Sequence, residues 1–239
     1  MILAANFKMN HTRSSTKEYI DSLCRFLKKG NFDQDIEIYL FPPATALDSY
    51  ECESVRIGAQ NAYCAEEGSF TGEIGPVQLG EFGIETVLIG HSERRELFGE
   101  SQELINKKFA FYKERGFEIF YCIGEKLDIR ERGIEEVKSF LRRQLLNIDT
   151  DYENLIIAYE PVWAIGTGKS AHAEDIAEVM EFLGSITDAP LLYGGSVKAG
   201  NIESIISVEG CEGALIGTAS WKVDSFCEII ERAQMRKRS

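Results

Sequence analysis

Short apolar runs recur along the chain, with longer amphipathic stretches between them. The runs cover residues 2–7, 36–41, 55–60, 86–90, 117–123, 155–160, 190–193 and 214–217. They are rich in β-branched and aromatic residues and barely alternate, as expected of strands covered on both faces in a parallel sheet. The stretches between them carry helical periodicity. Ser15-Thr16-Lys17-Glu18 reads as a capping box, followed by Ile20, Leu23, Cys24 and Leu27 on one face and by Lys28-Lys29-Gly30 as a stop. Ile134, Val137, Leu141 and Leu145 share a face of another segment. Ile176, Val179, Met180 and Leu183 share a face of a third, which ends at Gly184. The third and eighth strand–helix units are the shortest.

Eight such units, without a linker or a break in composition, predict an α/β protein. The expected architecture is a single (β/α)8 barrel over residues 1–239 with a closed, eight-stranded parallel sheet, rather than an open doubly wound sheet. In such barrels chemistry sits at the C-terminal ends of the strands. The unusual residues fall there: Asn6 and Lys8 after the first run, His91 after the fourth, Glu160 closing the sixth, Gly194-Gly195-Ser196 after the seventh, Gly217-Thr218 after the eighth.

Composition narrows the partners. A net charge of −13 repels nucleic acid and anionic membrane, so neither is an expected partner. A small anion is still admissible, because backbone N–H groups aligned in a cleft outweigh screened surface charge. The first eight residues lack the charged lead-in of a signal peptide, and no apolar stretch approaches the roughly 20 residues that span a bilayer. The cysteines at 24, 52, 64, 122, 211 and 227 include no C-x-x-C pair and read as reduced, mostly buried thiols of a cytoplasmic protein. No His, Cys and carboxylate spacing fits a metal site. Gly166-Thr167-Gly168-Lys169-Ser170-Ala171 superficially fits G-x-G-x-x-A, but it does not directly follow a strand, and a P-loop would need glycine where Trp163 stands.

Five stretches, in order, carry a resemblance. They are Asn6-Phe7-Lys8-Met9-Asn10; Gly90-His91-Ser92-Glu93-Arg94-Arg95; the twelve residues from Ala158 to Lys169; Tyr193-Gly194-Gly195-Ser196-Val197; and Gly213-Ala214-Leu215-Ile216-Gly217. Over essentially its whole length the chain resembles the triosephosphate isomerase family. The resemblance implies a TIM barrel and interconversion of dihydroxyacetone phosphate and glyceraldehyde 3-phosphate through an enediolate, in glycolysis and gluconeogenesis. It implies a small phosphorylated triose as substrate, no cofactor, and a homodimer.

Residue by residue, it implies Glu160 as the base, His91 as the electrophile, and Lys8 and Asn6 as substrate ligands. Backbone N–H groups of Gly166, Ser196, Gly217 and Thr218 would hold phosphate. Glu93 and Cys122 would support the site from behind, with Glu93 as partner of Lys8. Residues 161–171 would form a closing lid, for which this family is a standing example. Within 60–79, Phe70 and Thr71 would enter a partner subunit and steady its site. Three positions depart from the family: Phe7 stands for its usual Trp, Ser170 for a usual Thr, and Thr218 for a frequent Gly.

The residue types suit the reaction. A positioned base contributes about 10²–10⁴-fold, short of the ~10⁶-fold at which enzymatic accelerations usually begin. Donors aimed at the developing oxyanion, each worth on the order of 10²–10³, must add to Glu160. His91 precedes a helix start, whose positive potential favours an uncharged ring; the same family illustrates that effect. A phosphosugar barrel using Lys8 as a Schiff base, or a barrel that only binds phosphate, are the competing readings.

Overall fold

The computed structural model describes residues 1–30, 32, 35–165 and 171–237. Among them, eight parallel strands form one sheet: β1 (Ile2–Asn6), β2 (Glu37–Phe41), β3 (Arg56–Ile57), β4 (Thr86–Ile89), β5 (Glu118–Ile123), β6 (Leu155–Tyr159), β7 (Leu191–Tyr193) and β8 (Gly213–Ile216). The order is β3-β2-β1-β8-β7-β6-β5-β4. A bridge between Ala59 and Val87 joins the two ends. There Ala59 N–H donates to the Thr86 carbonyl at 2.9 Å, and Leu88 N–H donates to the Ala59 carbonyl at 2.8 Å. The sheet thus closes as the (β/α)8 barrel that the apolar pattern predicts.

Strand bounds follow the apolar runs closely, except in β3. Gly58 N–H still bonds the Leu40 carbonyl on β2, but the next residue already pairs with β4. One short run therefore serves two neighbours instead of extending along one.

Period-two alternation divides the strand residues between two cores. Ile2, Ala4, Tyr39, Phe41, Leu88, Phe120, Cys122, Ile156, Ala158, Leu192 and Leu215 fill the barrel interior. Their neighbours, such as Leu3, Ala5, Leu40 and Ile157, pack outward against the helices. The inner core is aromatic on one side: the Phe120 ring lies 4.8 Å from Tyr39 and 5.1 Å from Phe41, centroid to centroid, both edge-on.

Three expectations need correction. The first helix, Arg13–Lys29, starts one turn before the expected cap: Thr12 is its N-cap and Ser15 completes the box. Thr12 Oγ1 accepts from Ser15 N–H, and Ser15 Oγ accepts from Thr12 N–H. In a run of Ser and Thr several residues could cap, and the extended backbone at Thr12 decides. The eighth unit is not short, since its helix Val223–Lys237 has 15 residues; the seventh is, with only Ile202–Ile205. Finally, Cys24 and Cys52 are joined as a disulfide, with Cα atoms 6.1 Å apart, while Cys64, Cys122, Cys211 and Cys227 are free thiols. The first helix turns Cys24 inward against the loop that follows β2, a juxtaposition that a separation of 28 residues does not reveal.

The interior packing yields a quantitative expectation. Phe120→Ala empties the centre of the aromatic cluster and should cost about 3–5 kcal/mol, read as a lowered urea midpoint at unchanged slope. A loss well under 1 kcal/mol would mean that the barrel interior is not close-packed there.

Candidate active site

The alternation that fills the barrel also builds its mouth. Two residues beyond the inner core layer, the inward positions on β1 and on β4 to β8 are Asn6, Gly90, Gly124, Glu160, Gly194 and Gly217. Only two of these six carry a side chain. A Cβ built at Gly124 would stand 1.7 Å from the Glu160 carbonyl oxygen, and one at Gly194 would stand 2.8 Å from Glu160 Cγ. The absent side chains leave a cavity of about 330 Å³ at the ends of β1, β4, β6, β7 and β8. It is lined by Asn6, Lys8, His91, Glu160, Ser196, Gly217 and Thr218, among others. These are sequence-predicted site residues brought together from five strand ends. Gly166 and Ser170 lie outside the described residues.

A larger cleft, about 520 Å³, opens at the opposite end of the barrel beside β3. On its wall Arg56 Nη1 lies 3.2 Å from Glu37 and 3.3 Å from Glu118, and Thr86 donates to Glu118. The mouth cavity, which gathers the buried Glu160 and His91 with Lys8 at the C-terminal ends of the strands, is the better candidate.

Glu160 is 2% exposed. Its Oε2 accepts from Ser92 N–H at 2.9 Å, and its Oε1 lies 3.1 Å from His91 Nε2. Burial pushes the carboxyl up, but the facing His91 ring, the Ser92 N–H and the Lys8 ammonium outweigh it and hold the group below its ordinary value. Behind it, burial drives the Cys122 thiol well above the usual range, and the Glu160 carboxylate adds to the effect. Cys122 is therefore an uncharged packing group against the carboxylate.

His91 caps the short helix Ser92–Glu96, with Nδ1 accepting from Glu93 N–H at 3.2 Å. A nitrogen that accepts a backbone N–H carries no proton of its own, so the ring is neutral and its proton sits on Nε2. That proton points at Glu160.

Lys8 follows β1 in left-handed backbone, at φ 51°. Three contacts hold it there. Its N–H donates to Asn6 Oδ1 at 3.0 Å, its carbonyl accepts from Gln60 Nε2 at 2.9 Å, and its Nζ meets Glu93 Oε1 at 2.7 Å. The Lys8–Glu93 pair is the one that the family resemblance implies.

Across the mouth, Ser196 donates to the Ala164 carbonyl at 2.5 Å. Thr218 opens the short turn Thr218–Ser220, while Gly217 takes the unusual backbone angles, φ −88° and ψ −111°. The Cβ of Thr218 is thus accommodated. Phe70 and Thr71 stand apart from this cavity, both exposed, with the Phe70 ring 4.4 Å from Tyr63.

Several participants carried no sequence signal. Gln60 supplies an amide to two carbonyls, and Ser92 acts through its backbone. Glu125 is fully buried and accepts from Trp163 Nε1 at 2.8 Å and Tyr159 OH at 3.1 Å, at the start of the segment expected to form a lid. Only their place in space marks them.

A family model described as triosephosphate isomerase matches residues 1–233. The chain is 64% identical to a triosephosphate isomerase from a Nitratiruptor species, over 98% of this chain and 99% of that protein. It is 53% identical to one from a Sulfurovum species, over 96% and 99%, and 52% identical to one from Campylobacter curvus, over 99% and 100%.

Glu125 yields a pH test. Burial pushes its carboxyl above the ordinary value despite the bonds from Trp163 and Tyr159. Between the unfolded and folded values the native state holds the extra proton, so stability falls as pH rises through that window. Glu125→Gln keeps an acceptor for both donors but cannot ionise. The stability of the variant relative to wild type should therefore grow from about pH 4 upward and then level off, as measured by urea midpoints across pH. A difference independent of pH would contradict the assignment.

Proposed function

The chain belongs to the triosephosphate isomerase family, and from that premise we propose that its mouth cavity interconverts dihydroxyacetone phosphate and glyceraldehyde 3-phosphate by the residues just described. The observation that carries this reading is the Glu160 carboxylate and the uncharged His91 ring converging at one end of a closed barrel, 3.1 Å apart.

The reaction moves a proton between adjacent carbons. Glu160 removes it from the carbon beside the carbonyl, leaving an enediolate, and returns it to the neighbouring carbon. In the unliganded arrangement, hydrogen bonds from Ser92 N–H and His91 Nε2–H keep the carboxylate weakly basic. A substrate oxygen that takes over the His91 proton releases Glu160 toward the substrate carbon. Burial, which already acts to raise its proton affinity, is then no longer opposed by the His91 donor.

The neutral imidazole donates from Nε2 to the oxyanion that develops on either carbon oxygen. Lys8 adds a fixed positive charge between that oxyanion and the phosphate. Asn6 holds Lys8 through its backbone N–H and presents its amide to the substrate. The N–H groups of Ser196, Gly217 and Thr218 receive phosphate on the opposite wall, and Gly166 is proposed to join them. No step requires a cofactor.

The segment 161–171 is proposed as the lid. Trp163, tied to Glu125, anchors its first turn, and closure would exclude water from the enediolate.

A homodimer is part of the same reading. Met9 follows Lys8 directly and is 96% exposed; Leu97 and Phe98, one turn beyond Glu93, are 74% and 68% exposed. Large apolar side chains along one rim of the site call for a cover, and the loop carrying Phe70 and Thr71 of a second copy is the proposed one. The cytoplasm, where glycolysis and gluconeogenesis run, is the proposed compartment; among the described residues no helix is long and apolar enough to cross a membrane.

Two measurements test the reading. Wild type should exchange solvent deuterium into dihydroxyacetone phosphate rapidly by NMR, and Glu160→Gln should slow exchange by at least ~10²-fold; equal rates would remove Glu160 as the base. In sedimentation equilibrium wild type should be a dimer and Phe70→Asp should shift it toward monomer. A monomeric wild type would refute the assembly without touching the chemistry.

A further inference from the structure

The exits of β1 and β8 meet on one wall of the site. Lys8 follows β1, Gly217 and Thr218 follow β8, and all three line the same cavity. A Cβ built at Gly217 would stand 3.3 Å from Lys8 Cε, so the lysine side chain lies across this glycine. The spacing of the two segments decides whether one phosphate can touch both.

Behind that wall, away from the cavity, lies a side-chain clasp. His11 Nε2 is 2.9 Å from the Trp221 carbonyl oxygen. A carbonyl only accepts, so Nε2 carries the proton and donates it; Nδ1 then faces the Ser15 hydroxyl at 3.3 Å. The Trp221 indole N–H reaches back to the Asn6 carbonyl at 3.3 Å, and the Tyr19 hydroxyl donates to the Ser220 carbonyl at 2.7 Å. The His11 ring itself rests 4.6 Å from Phe7 and 5.6 Å, edge-on, from Tyr19. His11 takes this place with φ 71°, left-handed backbone that a residue bearing a side chain adopts only where its surroundings compensate.

We propose that His11 is a positioning residue for phosphate binding: its hydrogen bond to the Trp221 carbonyl holds the turn Thr218–Ser220 against the exit of β1 and so sets the gap between the Lys8 ammonium and the N–H groups of Gly217 and Thr218. The inference rests on the phosphate assignment made above. It concerns binding rather than proton transfer, because Glu160 and His91 stand at the ends of β6 and β4, and Lys8 keeps its own ties to Asn6, Gln60 and Glu93 when the β8 turn shifts.

The test compares His11→Phe, which keeps a ring against Phe7 and Tyr19 but has no donor, with His11→Gln, whose side-chain amide can still donate to Trp221. Both variants share the backbone cost of φ 71°. Three quantities are read: kcat, KM for dihydroxyacetone phosphate, and competitive inhibition by inorganic phosphate. Loss of one such hydrogen bond should raise KM and the phosphate inhibition constant together by about three- to tenfold in His11→Phe. In the same variant kcat should change less than twofold, and His11→Gln should stay within about twofold of wild type throughout.

The proposal is overturned if His11→Phe leaves phosphate inhibition unchanged, if it lowers kcat alone, or if His11→Gln fares as badly as His11→Phe. Should His11→Phe not fold, Tyr19→Phe deletes the bond to Ser220 in the same clasp. It must then shift KM and phosphate inhibition in parallel, and no shift overturns the proposal. Failure of the underlying functional reading shows differently, as a wild type that neither isomerises the substrate nor binds phosphate.

Discussion

A carboxylate buried at the mouth of a closed barrel is the constraint on which the rest of this structure depends. Glu160 has almost no access to water, and an isolated buried charge of that kind would take up a proton. It remains ionisable because two fixed donors face it, the Ser92 N–H and the His91 Nε2–H. Both come from the same strand exit, where a five-residue helix begins. The capping geometry that makes His91 accept from Glu93 N–H also decides its tautomer. One local feature of the backbone therefore sets the charge state of two reacting groups.

The cavity around this pair is made by omission. The inward layer below it is filled by Phe120, Tyr39, Leu192 and their neighbours, and the next layer up is glycine on β4, β5, β7 and β8. At Gly124 the Glu160 backbone passes so close that any side chain would collide with it. The same absence that makes room for a substrate lets β5 and β6 approach where Glu160 leaves the sheet. Packing and function share one cause here. A filled layer would close the mouth and also push the base out of place.

Opposite this pair, the cationic side of the site is held by longer-range ties. Lys8 sits in an unfavourable backbone region that Asn6, Gln60 and Glu93 together stabilise. The β8 exit is bound to the β1 exit through Trp221, Ser220, His11 and Tyr19. Pre-organisation of this kind places donors before substrate arrives, so little reorganisation is needed when charge develops.

Much of this was legible in the chain itself. Runs of apolar residues located the strands, because a strand buried on both faces must be apolar throughout, and His91, Lys8 and Glu160 stood at run ends where polar residues need a reason. The sequence, through its resemblance to the family, also marked Glu93 as a partner for Lys8. It did not disclose Gln60, Ser92, Glu125 or the pairing of Cys24 with Cys52, and it misplaced the first cap among neighbouring Ser and Thr residues. Local sequence determines which positions are apolar and where the chain must turn, since these follow from periodicity and side-chain chemistry. Which distant side chains meet, which tautomer His91 adopts and how Glu160 is satisfied depend on distances between segments far apart in the chain, and only closure of the barrel sets those distances.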